Sequence, residues 1–401
     1  MDIRPTYLIM VTTQNNNKYY NCFPEGDQFR VEYGRVDATK TTKYYPISKW
    51  DSQIRSKLAK GYKDVTDLKQ DLVTEKTTDN EYKPIANSSI RALVDRLQAL
   101  AKEVVRKNYS VSSAAVTQDM VDEAQKIINN LTAIANLDDF NNALLELFTV
   151  IPRKMGHVKE YLASDTTYFN QIIQNEQDLL DVMKGQIVTP MTTQVSDTIG
   201  SDQTILEANG ITIQEVTEQD IELVKRKLGS NAHRLKNVWK VSNNKQTKAY
   251  EKYCKEEGLT KRNCKLLFHG TRSENVWNIL KTGLVLRPTN AIITGKMFGY
   301  GLYFAPSAQK SLGYTSLSGS YWARGNSNSG FMILHSVTYG KPYMVDNFNA
   351  KYYSFDYTKL RQECPGAHCL HADSSKGMLK NDEIVVYRED QIVPLYLVEI
   401  E

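Results

Sequence analysis

Two glycine-bearing stretches of the sequence contain the residue types that hold a flat, hydroxyl-bearing ligand. The first, "LLFHGTR", is an apolar strand that delivers His269, Gly270 and Thr271 to its end, and the second, "GKMFGYGLYFAPSAQKSLGY", contains Tyr303, Ser311 and Tyr314. Glycine lets the backbone approach a ligand, tyrosine faces can enclose an aromatic ring, and Ser or Thr hydroxyls can bond an amide or a ribose. Taken alone, each stretch is also typical of a structural core.

A carboxylate near the C-terminus is the third candidate. In "KNDEIVVYRED", strand alternation puts Glu383, Val385 and Tyr387 on one face. Exposed glutamates are common, and alternation does not distinguish Glu383 from its neighbour Asp382 as a functional group. The pattern therefore leaves open whether Glu383 is a solvated charge at a strand end or a group that does chemistry.

The elements that must position these residues fall into three segments. Residues 1–80 are β-rich, with strand-like "TYLIMVTT" and "FRVEYGRV" followed by a helical pattern. Residues 86–192 repeat apolar side chains at helical spacing, which predicts an all-helical domain. Residues 200–401 alternate strand-like runs with loops and helices, which predicts a mixed α/β domain. The predicted fold class is thus multidomain α+β.

Charge is segregated along the 401-residue chain, although the net charge is only +4. Residues 35–63 hold eight Lys/Arg against two acidic residues, and residues 225–265 hold thirteen against three. This predicts local contact with polyanions, with a solvated lysine-rich surface as the simpler alternative. Five cysteines, no signal-peptide pattern and no long apolar run predict an intracellular protein without a disulfide framework or membrane partner.

Three stretches in combination closely resemble the catalytic domain of the poly(ADP-ribose) polymerases. They are "LLFHGTRSENVWNILKTGL", "GKMFGYGLYFAPSAQKSLGY" and "NDEIVVYREDQIVPLYLV". The helical segment, with "LELFTVIPRKMG" and "NEQDLLDVMKG", resembles that family's autoinhibitory regulatory domain, and the N-terminal segment resembles its WGR domain. The resemblance implies an ADP-ribosyltransferase fold for the last segment. A Rossmann-type dehydrogenase is not supported, because "GKMFGYG" lacks the GxGxxG pattern and precedes a strand.

The family's His-Tyr-Glu triad falls on His269, Tyr303 and Glu383. The resemblance implies that NAD+ is the substrate and that His269 and Thr271 bond its adenosine ribose. Breaking the nicotinamide–ribose bond passes through an oxocarbenium-like state, which a carboxylate at the 2′-hydroxyl stabilises. In the family this Glu also orients the acceptor during elongation, so Glu383 implies polymer formation. No metal is required.

Other positions also receive implied roles. The Gly270 backbone and the Ser311 hydroxyl would hold the nicotinamide carboxamide, and Tyr314 would stack on the ring opposite Tyr303. Arg287, in "LRPTNAIITG", would approach the pyrophosphate, and Lys310 would lie on the acceptor side.

The N-terminal segment is implied to bind DNA strand breaks. Tyr33 replaces the family's WGR tryptophan and precedes Gly34 and Arg35. Tyr33 would stack beside the break and Arg35 would reach phosphate.

The implied function is a DNA-break-stimulated polymerase that modifies proteins, including itself, and releases nicotinamide. The expected compartment is the nucleus if the source is eukaryotic, and the cytoplasm if it is prokaryotic or viral. Two alternatives stay open: a mono(ADP-ribosyl)transferase of protein or nucleic-acid ends, and a DNA-binding scaffold with weak catalysis.

The loop "CPGAHCLH" places Cys364, His368, Cys369 and His371 within eight residues. These types are zinc ligands, but the adjacent His368 and Cys369 make one tetrahedral site awkward. The favoured interpretation is a loop without metal.

Overall fold

The computed structural model describes residues 3–36, 38–67, 82–111, 113, 116–187, 202–286, 297–320, 324–377 and 379–401. Two compact units account for the chain: Met1–Asp79 with Lys102–Val195, and Asn80–Ala101 with Ser196–Glu401. Within the described ranges, no helix is both long enough and apolar enough to cross a membrane.

The first unit begins with an antiparallel five-stranded sheet in the order β4-β3-β2-β1-β5. Its strands are β1 (Thr6–Thr12), β2 (Asn16–Glu25), β3 (Gln28–Arg35), β4 (Thr41–Pro46) and β5 (Lys63–Asp64). Helix α1 (Trp50–Leu58) covers one face, where Trp50 packs edge-on against Phe29 of β3. Burial of alternate strand residues against this helix forms a small core of its own.

Helices follow the sheet: α2 (Ser88–Asn108), α3 (Gln118–Leu131), α4 (Leu137–Val150) and α5 (Phe169–Gln186). Thr117 caps α3 by accepting from the amide of Met120, and Asn136 caps α4. The apolar stripes of α3, α4 and α5 are buried, as the helical spacing predicts. The WGR-like and regulatory assignments of these two segments stay predictions.

The second unit contains two sheets, in the orders β6-β7-β14-β10-β8 and β11-β12-β13-β9. Its strands are β6 (Ile211–Gln214), β7 (Leu235–Asn243), β8 (Cys264–Thr271), β9 (Leu302–Phe304), β10 (Gly330–Thr338), β11 (Pro342–Val345), β12 (Cys369–Ala372), β13 (Glu383–Val386) and β14 (Ile392–Ile400). Its helices, besides the start of α2, are α6 (Ile205–Ala208), α7 (Glu218–Leu228), α8 (Asn244–Glu256), α9 (Val276–Thr282), α10 (Ala308–Leu312) and α11 (Tyr357–Glu363). The predicted mixed α/β architecture of the C-terminal segment is confirmed, while its predicted bounds stay a prediction.

The two sheets of the second unit meet at a pair of backbone hydrogen bonds. The amide of Phe268 in β8 donates to the carbonyl of Ala305 just after β9, and the amide of Ala305 donates back, both at 3.0 Å. This bridge brings the end of β8 beside β9 and its partner β13.

The first half of α2 is part of the second unit's core. Leu93, Val94 and Leu97 pack in the same apolar cluster as residues of β8, β10 and β13. Arg96 binds the fully buried carboxylate of Glu399 in β14 at 2.9 Å. These residues therefore belong with the mixed α/β fold in packing terms, although they start the helical segment in sequence.

Candidate active site

His269 lies where the two sheets meet, one residue after the Phe268 bridge. Its Nδ1 is 3.2 Å from the carbonyl oxygen of Tyr303. Because a carbonyl only accepts, Nδ1 carries the proton and Nε2 is the acceptor. Burial lowers the pKa of His269, so the imidazole is neutral at pH 7.

Glu383, the first residue of β13, is only 6% exposed. Lys310 of α10 forms an ion pair with its Oε1. Burial raises the pKa of Glu383, and the Lys310 ammonium opposes that rise. The alternative of a solvated strand-end charge is therefore wrong, since this carboxylate is buried and held by a lysine.

Two tyrosines lie near that carboxylate. Tyr303 of β9 pairs with Val385 of β13, which puts Tyr303 on the same sheet face as Glu383. Its hydroxyl accepts from the amide of Phe298 and donates to the carbonyl of Gly299, both at 3.0 Å, which fixes the ring. Burial and the Glu383 charge raise the pKa of Tyr303, and raise that of Tyr314 to about 12. Both phenols are thus neutral neighbours of Glu383.

Gly270 packs against the backbone of Ser311. A Cβ at position 270 would lie 1.9 Å from the Ser311 carbonyl oxygen, so no larger residue fits without moving α10. The Ser311 hydroxyl donates to the Phe268 carbonyl at 3.3 Å. The glycine thereby sets the distance between β8 and the helix that carries Lys310 and Ser311.

Two further residues, Thr271 and Arg287, were predicted to contact NAD+. Thr271 ends β8, pairs with Phe331 and is 8% exposed. Arg287 lies outside the described residues, and its pyrophosphate contact stays a prediction.

His335 was not identified from the sequence. It lies in β10, is 1% exposed, and its ring centre is 6.2 Å from that of His269 and 5.3 Å from that of Phe304. Burial, with His269 beside it, lowers the pKa of His335 to about 3. A neutral histidine therefore packs behind His269. The available signal was a polar residue inside the apolar run "FMILHSV".

The two predicted DNA contacts lie in β3 of the first unit. The Tyr33 ring packs against Tyr20 at 5.8 Å, with the Lys43 ammonium 5.8 Å from its centre. The Arg35 guanidinium donates to the carbonyls of Asn15 and Gly156 at 2.8 and 3.0 Å. Arg35 thus has carbonyl partners in this state, and contact with phosphate stays a prediction.

The segment predicted as a loop is partly a strand, because Cys369 and His371 lie in β12, and its polar residues have separate contacts. His368 Nδ1 accepts from the amide of Lys341, and Cys369 donates to the Tyr339 carbonyl. His371 bonds both the Tyr339 hydroxyl and Asp382. Within the part of the chain that the structure describes, no group of three His, Cys, Asp or Glu side chains is arranged to hold a metal ion.

Comparisons with known proteins identify the family of the second unit. The family model described as "Poly(ADP-ribose) polymerase catalytic domain" matches residues 214–401. Protein 101L of Invertebrate iridescent virus 6 is 38% identical over 184 residues, covering 45% of this chain and 76% of that protein. The poly(ADP-ribose) polymerase-like protein 100L of the same virus is 31% identical over 166 residues, covering 41% of this chain and 84% of that protein.

A longer alignment joins the chain to chicken (Gallus gallus) poly(ADP-ribose) polymerase 1. It is 24% identical over 302 residues, covering 73% of this chain but only 27% of the chicken protein. The family match lies on the second unit, which holds the buried Glu383 with its tyrosines and His269. This chain belongs to the poly(ADP-ribose) polymerase family, and it is an ADP-ribosyltransferase that uses NAD+ as its substrate.

Proposed function

We propose that this protein is a DNA-break-stimulated poly(ADP-ribose) polymerase that modifies proteins, including itself, and elongates the chain. The observation that carries the proposal is Glu383, a buried carboxylate beside Tyr303 and Tyr314 and paired with Lys310. A member that transfers one unit needs the NAD+ site, whereas elongation also needs a group that orients an acceptor ribose. Glu383 supplies that group.

The proposed roles follow from the chemistry of NAD+ cleavage. His269 and Thr271 bind the adenosine ribose, while the Gly270 backbone and Ser311 hold the carboxamide. Tyr303 and Tyr314 enclose the nicotinamide ring. As the C1″–N bond breaks, its electron pair goes to nicotinamide and positive charge grows on the ribose. The Glu383 carboxylate, bonded to the 2″-hydroxyl of the same ribose, stabilises that charge until the acceptor oxygen bonds C1″ and the acceptor's proton is released to solvent.

DNA dependence is assigned to the first 80 residues. These residues include Tyr33 of β3 and the basic excess of residues 35–63, a stretch that contains β4 and α1. Residues 86–192 are proposed to favour a low-activity state that DNA binding disfavours, which is a shift between two populations. Relatives named poly(ADP-ribose) polymerase align over about 300 residues, so the similarity extends beyond residues 214–401 into part of the helical segment, which supports its proposed regulatory role.

The direct test measures nicotinamide release by the full chain with and without nicked duplex DNA. We expect nicked DNA to raise the rate, and labelled product to migrate as a smear. A discrete single adduct would favour a mono(ADP-ribosyl)transferase. Negligible NAD+ consumption under both conditions would favour the DNA-binding scaffold.

Replacing residues 102–187 with a short Gly/Ser linker should raise nicotinamide release measured without DNA. Residues 82–101 are retained because Leu93, Leu97 and Arg96 pack within the second unit. Relief of an inhibited state that dominates by about 100 to 1 would raise the rate by about two orders of magnitude. A well-folded deletion variant that releases nicotinamide at the wild-type basal rate would show that residues 102–187 do not inhibit the enzyme.

The charge of Lys310 should set the pH at which kcat/KM falls on the acid side of its pH profile. Lys310 lowers the pKa of Glu383, so Lys310→Met should raise that pKa further. Because the ionised carboxylate is the active form, the acid limb of kcat/KM should move to higher pH. Lys310→Arg keeps the charge and should leave the limb near its wild-type position. Equal limbs for the Met and Arg variants would show that Lys310 does not tune Glu383.

A further inference from the structure

Helix α8 exposes a row of lysines on the second unit. Lys245, Lys248, Lys252 and Lys255 are all exposed and follow one another at intervals of three, four and three residues. At 100° and 1.5 Å per residue, they occupy roughly 80° of the helix circumference over about 15 Å. The four ammonium groups therefore share one face.

The opposite side of α8 is anchored in the fold. Tyr253 is 1% exposed, and its hydroxyl accepts from the Gln391 side chain at 3.2 Å. The Tyr250 hydroxyl is 2.8 Å from that of Ser336 in β10. With its aromatic residues directed inward, the helix presents the lysine row in a fixed orientation.

Few carboxylates offset this row. Glu256 lies 3.8 Å from Lys252, and Glu251 is exposed on the same helix. In the described ranges, no acidic side chain lies within 4.0 Å of the ammonium groups of Lys245, Lys248 or Lys255. The segment from 225 to 265 has thirteen Lys/Arg against three acidic residues, and neither the transfer chemistry nor the proposed DNA contacts of residues 1–80 use this excess.

We propose that the lysine row of α8 binds the sugar–phosphate backbone of duplex DNA. Lysine ammonium groups bind phosphates as point charges. Each strand of duplex DNA presents one phosphate per about 3.4 Å of helix axis, so a row about 15 Å long lies alongside roughly four phosphates of one strand. Single-stranded nucleic acids favour exposed aromatic stacking platforms, and the tyrosines of α8 are directed inward. Binding through this row is therefore independent of sequence, and it stands whether or not the enzyme elongates its product.

The test compares two full-length variants with equal charge loss. The row variant carries Lys245→Gln, Lys248→Gln, Lys252→Gln and Lys255→Gln. The control carries glutamine at four other exposed lysines of the same unit, Lys341, Lys351, Lys359 and Lys376. Affinity for a labelled intact duplex is measured across a salt series. Each lost phosphate contact lowers the slope of log K against log salt by about 0.9, so the row variant should lose about 3 to 4 in slope.

For the control variant, the slope of log K against log salt should stay within about 0.9 of the wild-type slope, which is the change expected from one phosphate contact. Equal slopes for the two variants would overturn the proposal and leave the row as a solvated surface. A row variant that loses affinity only for purified poly(ADP-ribose) or only for single-stranded DNA would also overturn it. Nicotinamide release without DNA should match the wild type in both variants. That readout separates failure of this inference from failure of the proposed function.

Discussion

Glu383→Gln should abolish most chain elongation while leaving a folded protein. Glutamine keeps the shape of the side chain but removes the negative charge that faces the oxocarbenium-like ribose. We expect elongation to fall by about 100- to 1,000-fold, comparable to removing one preorganised stabilising group from an active site. Nicotinamide release should fall less than elongation does, by about tenfold. The reason is that the neutral amide of glutamine still accepts a hydrogen bond from the ribose hydroxyl. Both rates are measured on the same preparation.

Glu399→Gln is the matched control. Glu399 is also a buried glutamate of the second unit, held by Arg96 and Lys236, and it lies in β14, which β10 separates from β8. Its neutralisation should lower Tm and leave kcat per folded molecule near the wild-type value. An equal loss of elongation in both variants would mean that any buried charge lost from this unit impairs activity, and Glu383 would have no special role.

Gly270→Ala should disable NAD+ binding by a steric route. The new Cβ would lie 1.9 Å from the Ser311 carbonyl oxygen and 2.7 Å from its carbon, so α10 must move away from β8. That movement displaces Ser311 and Lys310 together. A displacement of about 1 Å at such a site can reduce kcat/KM by about 100-fold. Overpacking should also lower the free energy of unfolding by about 1–3 kcal/mol. Steady-state kinetics and thermal unfolding measure the two effects.

Gly156→Ala serves as the control for glycine replacement itself. A Cβ at Gly156 meets no atom within 4 Å, so the substitution should leave KM for NAD+ and Tm close to wild type. If Gly270→Ala also kept the wild-type KM, the close approach of β8 and α10 would not shape the substrate site.

The candidate site could be assigned from sequence because its parts lie in short, characteristic stretches. Glu383 is an exception, because strand alternation predicts which face of the sheet its side chain lies on but does not predict whether that side chain is buried. Its burial depends on Lys310, 73 residues earlier, and on β9 pairing with β13. The resemblance selected Glu383 over Asp382, whose carboxylate instead accepts from Ser374 and contacts His371.

Contacts between distant segments were not predictable. Arg35 bonds a carbonyl 121 residues away, and no local pattern encodes that partner. The same holds for His335, whose position behind His269 depends on the register of β10 against β8. The start of α2 has an ordinary amphipathic pattern, and only the fold shows that Leu93 and Leu97 pack in the second unit.

The length of the ADP-ribose product tests the central claim most directly. The full chain is incubated with labelled NAD+ and nicked DNA, and the product is detached from protein and resolved by size. The account predicts a ladder of many ADP-ribose units from the wild type, which collapses to the shortest products in Glu383→Gln. Single units alone from an active wild-type enzyme would contradict the claim that its buried glutamate supports polymerisation.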